Sequence, residues 1–125
     1  MDQQSLIAQI LKDLATLPVT PFGVFLYGSQ AVGKADERSD IDLCLVAGSD
    51  INPVHLQRQA WRHIRADLYD IRIFELLPLY MQIRILSQGI RIASPDQYAL
   101  TEYLYPWWKR WDDQRWYQTP IPGAP

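Results

Sequence analysis

The stretch Leu26-Tyr27-Gly28-Ser29, followed after ten residues by Asp40-Ile41-Asp42-Leu43, decides how this chain reads. Phe22 to Tyr27 is a short apolar and aromatic run, which predicts a buried strand ending at Gly28. Ser29 then stands where one or two helical turns, over Ser29 to Gly33, would begin. Free backbone N–H groups at such a turn, with a serine hydroxyl, make a phosphate cradle. The glycine before it lets a phosphate approach the backbone with no Cβ in the way. Asp40 to Val46 alternates, with Ile41, Leu43 and Leu45 on one face and Asp40, Asp42 and Cys44 on the other, so it predicts a strand with one polar face. Two carboxylates two positions apart on a strand point the same way and suit a hard cation with oxygen ligands. A phosphate cradle beside such a pair is what phosphoryl or nucleotidyl transfer requires.

A third carboxylate should complete the site, and Asp70 is the candidate. It opens Asp70-Ile71-Arg72-Ile73-Phe74 within a predicted strand over Leu68 to Glu75. With Ile71 and Ile73 turned to the core, Asp70 shares a polar face with Arg72. Asp67 competes for the role, but it precedes the strand and reads as a turn residue.

Around these strands the pattern turns helical. Leu6, Ile7, Ile10, Leu11 and Leu14 have helical spacing within Ser5 to Leu17, closed by Pro18 and Pro21. Asn52-Pro53 reads as an N-cap with proline at N1, opening a helix to about Ala66 with Leu56, Ala60, Ile64 and Trp61 turned inward. Pro78 to Ser87 predicts a third helix stopped by Gly89 at C′. Ile90 to Ala93 predicts a fourth strand. Ser94-Pro95 caps a final helix that Pro106 should kink or break. Residues 119–125 are too proline-rich for regular structure and read as a flexible tail. Alternating helices and strands predict an α/β fold of the α+β kind, with a small mixed sheet of about four strands flanked by helices.

Composition bounds the rest. At 125 residues, 48% hydrophobic and 21% charged, the chain fits one ordinary globular domain. There is no apolar run of membrane-spanning length and no signal-peptide pattern at Met1-Asp2-Gln3-Gln4-Ser5, so a cytoplasmic protein without membrane contact is expected. The single Cys44 excludes an internal disulfide and a multi-cysteine zinc site, and reads as a packing residue. His55 and His63 lack companions of metal-binding type. A net charge of -2 argues against direct nucleic-acid binding. Arg58, Arg62 and Arg65 read either as a solvated helix face or as a docking face for an acidic partner. Trp107, Trp108, Trp111 and Trp116, with Tyr103, Tyr105 and Tyr117, crowd the C-terminal helix. They read as self-packing, as a partner or homodimer surface, or, least well supported, as a base-stacking platform.

Leu26-Tyr27-Gly28-Ser29-Gln30-Ala31-Val32-Gly33, followed by Ser39-Asp40-Ile41-Asp42-Leu43, resembles the minimal nucleotidyltransferases (MNT) of the DNA polymerase beta superfamily. Tyr69-Asp70-Ile71-Arg72 and Ile83 to Gly89 resemble that family's third-acid strand and the helix after it. The resemblance covers roughly residues 6 to 93. It implies the nucleotidyltransferase fold, as a single domain over 1–118 with its core at 6–93 and a helical extension at 94–118. It implies that Asp40, Asp42 and Asp70 bind two magnesium ions and carry catalysis, Asp70 beside the acceptor hydroxyl. Gly28 and Ser29 would hold the outer phosphates of ATP, within a nucleotide-binding set that includes Lys34 and Ser39. Relatives often carry arginine where this chain has Gln30 and Val32, and Lys34 and Arg38 are the candidate replacements.

Larger relatives add a domain that presents the acceptor, and this chain has no length for one. Minimal members are commonly paired with a small helical HEPN protein. The resemblance therefore implies an antitoxin that adenylylates a tyrosine of a HEPN RNase toxin. The alternatives are a non-catalytic antitoxin acting by contact, and a small-molecule nucleotidyltransferase of the aminoglycoside type.

Overall fold

The computed structural model describes residues 2–28 and 40–118, with side chains to residue 113. The elements run α1 (Gln3–Leu14), β1 (Gly23–Tyr27), β2 (Ile41–Val46), α2 (Pro53–His63), β3 (Tyr69–Ile73), α3 (Leu79–Gln88), β4 (Ile90–Ala93) and α4 (Gln97–Gln118), with a 3₁₀ turn at Phe74–Leu76 after β3. The four strands form one mixed sheet in the order β3-β2-β1-β4. β1 is antiparallel to both neighbours, and β2 and β3 are parallel, joined by the crossover through α2.

Two cores follow from the period of two along each strand. Val24, Leu26, Ile41, Leu43, Leu45 and Ile73 face a cluster with Leu6, Ile10 and Leu14 of α1 and Leu56 and Ala60 of α2. Phe25, Cys44 and Val46 face the opposite cluster, with Phe74, Ile85 and Leu86, and Leu100 and Leu104 of α4. The sheet is thus covered on both faces. This corrects the expectation of one polar face on β2: Cys44 and Val46 are fully buried under the second helical layer. Only the row at the strand's entrance stays polar.

Local signals explain most element ends. Asp2 Oδ1 accepts from Ser5 N and starts α1. Asn52 Oδ1 accepts from Val54 N and His55 N, with Pro53 following, and starts α2 as its sequence predicts. α2 stops at His63, because Ile64 turns extended and inserts into the core. Trp61 is not turned inward: it is 66% exposed, since a stripe already filled by Leu56, Ala60 and Ile64 leaves it about 100° off the buried face. β3 ends at Ile73, where the chain tightens into the 3₁₀ turn. Gly89 caps α3 without a left-handed conformation, at φ -77°. A Cβ there would lie 2.5 Å from the Ile85 carbonyl oxygen, so close approach requires the glycine. Asp96, not Ser94, caps α4 by accepting from Ala99 N, while Ser94 Oγ accepts from Asp96 N.

Pro106 does not break α4. The residues around it are pinned: Tyr103 donates to Glu75 Oε2 at 2.7 Å, and Trp107 Nε1 donates to Gln82 Oε1 at 3.0 Å. Trp107 also packs edge-on to Phe74, with ring centroids 5.0 Å apart. The aromatic C-terminal helix therefore divides. Tyr103, Trp107 and Trp108 pack on the core, whereas Tyr98 and Tyr105 are exposed. The expected turn at 29–33 and tail at 119–125 lie outside the described residues.

Candidate active site at one end of the sheet

Strand register assembles the site. Asp42 pairs with Asp70 across β2 and β3, and with Tyr27 across β1 and β2. One row at the sheet's end therefore reads Asp70, Asp42, Tyr27, and Arg72 lies one row in, beside Cys44. Asp40 is exposed, just before β2, and borders with Asp70 a cavity of about 250 Å³. The structure thus brings Asp42 and Asp70 together and leaves Asp40 a step outward. Among the described residues, no three His, Cys, Asp or Glu side chains close into a metal cage. Asp67 is exposed and paired with Arg65 at 2.7 Å, away from this row.

The row carries its negative charge under strain. Burial, and then the Asp70 carboxylate, hold the carboxyl of Asp42 above the usual aspartate range. Arg72 opposes them, and Asp40 adds a further push upward. Burial first, and then Asp42, push the Tyr27 hydroxyl up as well. The nearby cation is loosely held: Arg72 Nη2 is 3.7 Å from Asp70 Oδ2, with both side chains nearly half exposed. Crowded carboxylates with one loose counter-charge are a donor set that fits a hard divalent cation.

Gly28 closes this corner. Its φ is +71°, in the left-handed region. A Cβ there would lie 3.2 Å from Asp42 Cγ and closer still to Oδ2. Gly28→Ala therefore adds about 1 kcal/mol of backbone strain and displaces Asp42. The expected result is a modest fall in Tm with a fall in kcat/KM of about 100-fold, read by calorimetry and steady-state kinetics on one preparation. Ser29, Lys34 and Ser39, with Gln30, Val32 and Arg38, lie outside the described residues.

Another cavity, of about 460 Å³, opens beside Gly28. Tyr27, Gly28, Met81, Arg84, Ile85 and Gln88 line it. Arg84 is exposed, and its guanidinium has no ion-pair partner among the described residues. Sequence reasoning assigned it no role. Helical spacing sets Arg84 and Gln88 one turn apart on the side of α3 away from Leu86. Only the pairing of β4 with β1, however, brings the end of α3 back beside Gly28.

Residues 7–98, which hold every candidate site residue, match the family described as Polymerase beta, Nucleotidyltransferase. A protein of Methanocaldococcus jannaschii, provisionally named a protein adenylyltransferase, is 38% identical over 95 residues, spanning 74% of this chain and 70% of that protein. Two solved structures share the fold. A chain of a toxin–antitoxin complex with AMP-PNP superposes with a TM-score of 0.67 at 16% identity, over 87% of this chain and 89% of that one. A chain of the complex between a tri-AMPylated HEPN toxin and an MNT antitoxin of Shewanella oneidensis gives 0.63 at 16% identity, over 91% and 90%. With most of its length matched to the family and a relative this similar, the chain belongs to the polymerase beta nucleotidyltransferase family.

Proposed function

We propose that this protein transfers AMP from ATP to a hydroxyl of a partner protein, with magnesium held by Asp40, Asp42 and Asp70. The observation that carries the reading is the register pairing of Asp42 with Asp70 beside Gly28. The partner in this proposal is a HEPN-type toxin with a tyrosine as acceptor, the chain being its antitoxin. The M. jannaschii relative's name and the toxin–antitoxin complexes that share the fold support that choice. The working unit is residues 1–118, with the core at 6–93 and the extension at 94–118. The proposed setting is the cytoplasm, and among the described residues no helix is long and apolar enough to cross a membrane.

Each side chain has a task. Gly28, Ser29, Lys34 and Ser39 hold the triphosphate, and Arg84 adds positive charge from the cavity it lines with Gly28. Asp70, at the open edge of the sheet, takes the proton of the acceptor hydroxyl. The acceptor oxygen bonds to the α-phosphorus, and the bond to the bridging oxygen of the β-phosphate breaks. Pyrophosphate leaves with that electron pair. Magnesium, when bound, neutralises charge on the attacking and leaving oxygens.

The test is mass spectrometry of the partner after incubation with this protein, ATP and magnesium, using the product of the neighbouring gene. The expected result is a gain of one AMP or a small multiple, absent with the Asp40→Ala, Asp42→Ala double variant. A tight complex with no gain from any of the four ribonucleotides overturns the transfer reading in favour of neutralisation by contact. Arg84→Ala should raise KM for ATP about 10-fold while leaving KM for the partner unchanged, in steady-state kinetics.

A further inference from the structure

We propose that the outer face of α2, formed by Arg58, Trp61 and Arg62, together with Arg65 just beyond the helix, docks an acidic segment of the acceptor protein and guides its aromatic hydroxyl to Asp70. This rests on the reading above and adds where the acceptor binds and what it must look like. Arg58, Trp61 and Arg62 fall at i, i+3 and i+4, on one side of α2; Arg65 lies beyond the helix end but borders the same cavity as Trp61, and all four are exposed. Residues 52–66 hold these three arginines and two histidines and no carboxylate, in a chain whose net charge is -2. Arg65 is paired with Asp67, while Arg58 and Arg62 have no ion-pair partner among the described residues. Positive charge is thus gathered on one face.

Trp61 leaves two thirds of its surface in water, at 66% exposure. Tryptophan and arginine are the side chains most enriched at protein interfaces, and they dominate binding there once water is excluded. The face also runs into the catalytic end. Trp61 and Arg65 border the same cavity as Asp40 and Asp70. At about 250 Å³ that cavity falls below the ~300–1,000 Å³ of a small-molecule site, and it suits a single inserted side chain. The Trp61 ring forms a wall for an aromatic one.

Charge selects protein over RNA as the occupant. An RNA strand carries a phosphate at every nucleotide and would press some of them against Asp40 and Asp70. A protein segment can set its carboxylates against Arg58 and Arg62 and present a neutral hydroxyl at Asp70.

The test compares wild type, an Arg58→Glu, Arg62→Glu double variant, and Trp61→Ala, each with the product of the neighbouring gene. Binding is read by calorimetry, and transfer by the KM for partner and for ATP. All three residues are exposed, so Tm should hold. The expected result is partner binding and partner KM weakened about 10- to 100-fold in both variants, with KM for ATP unchanged. The charge-reversed variant should also lose the salt dependence of binding. Unchanged partner binding and KM overturn the proposal while transfer by wild type still stands. If wild type binds but transfers no AMP, the transfer reading falls and the binding comparison alone decides the surface. No binding by wild type, or a single-stranded RNA oligonucleotide held by this face in place of the protein, overturns it as well.

Discussion

Asp42→Asn is expected to abolish AMP transfer and, in the absence of metal, to make the protein harder to unfold. The shape of the side chain is kept and its charge is lost. That charge is a burden in the free protein, because burial and the Asp70 carboxylate raise the carboxyl of Asp42 above its ordinary value of 3.8. A group whose pKa is higher folded than unfolded contributes its full stability below the unfolded value. It loses that contribution as pH rises through the folded value. Wherever that carboxyl is ionised wild type therefore carries a penalty that the asparagine variant does not. Thermal melts in EDTA at pH 7 should place the variant above wild type. As pH falls from neutral through the raised value, wild type should gain relative to the variant and the gap should close. Added magnesium should stabilise wild type by mass action and leave the variant unmoved. Transfer should fall by about 10³-fold or more, the scale of losing a group that stabilises charge in the transition state. A variant that melts below wild type without metal would mean that the charge of Asp42 is satisfied within the protein, and that these carboxylates are not arranged to hold a cation.

The same strain explains what was legible in the sequence. Asp40, Asp42 and Gly28 stand out because two carboxylates at strand spacing and a glycine at a strand's end break local rules that a stable core would keep. The period of two, with the family resemblance beside it, points to Asp70, and its pairing with Asp42 follows from the crossover through α2, which makes β2 and β3 parallel. What could not be read depends on contacts distant in the chain. The alternation of β2 suggested one polar face, but α3 and α4 cover Cys44 and Val46. Pro106 looked like a helix breaker, but the bonds of Tyr103 and Trp107 to Glu75 and Gln82 hold α4 on the domain on both sides of it. Arg84 became visible only when the sheet brought the end of α3 to Gly28. Trp61 differs for a local reason: helical spacing from Leu56 and Ala60 points it outward, and the apolar character of a large ring does not override that geometry.

Glu75→Gln should destabilise the fold by about 2–4 kcal/mol, although the change is isosteric. Glu75 sits in the 3₁₀ turn after β3, within a stretch whose pattern predicted only more strand. Its Oε1 accepts from Ala47 N at 2.9 Å, and its Oε2 accepts from Gly48 N at 3.0 Å and from the Tyr103 hydroxyl at 2.7 Å. One carboxylate thus ties the exit of β2 to α4. Burial, and then this bond, hold the proton on Tyr103 by pushing its hydroxyl up. A glutamine offers one oxygen and one NH₂ group. Whichever way it turns, the NH₂ meets a backbone N–H of Ala47 or Gly48, and that donor loses its acceptor in a part-buried place. Charge-assisted bonds are worth about 1.5–3 kcal/mol each, so losing one and weakening the others accounts for the expected range. Tm should drop on the order of 10 °C. Tyr103→Phe removes only one of the three bonds and should cost about 1 kcal/mol, and the double variant should cost less than the sum, because the two changes share that bond. The site itself should be spared: Asp42 lies about 16 Å from Ala47 along β2, so KM for ATP well below the melting range should match wild type. A Glu75→Gln protein that melts with wild type would show that the β2 exit does not need the carboxylate, and that packing by Phe74 and Trp107 alone seats α4.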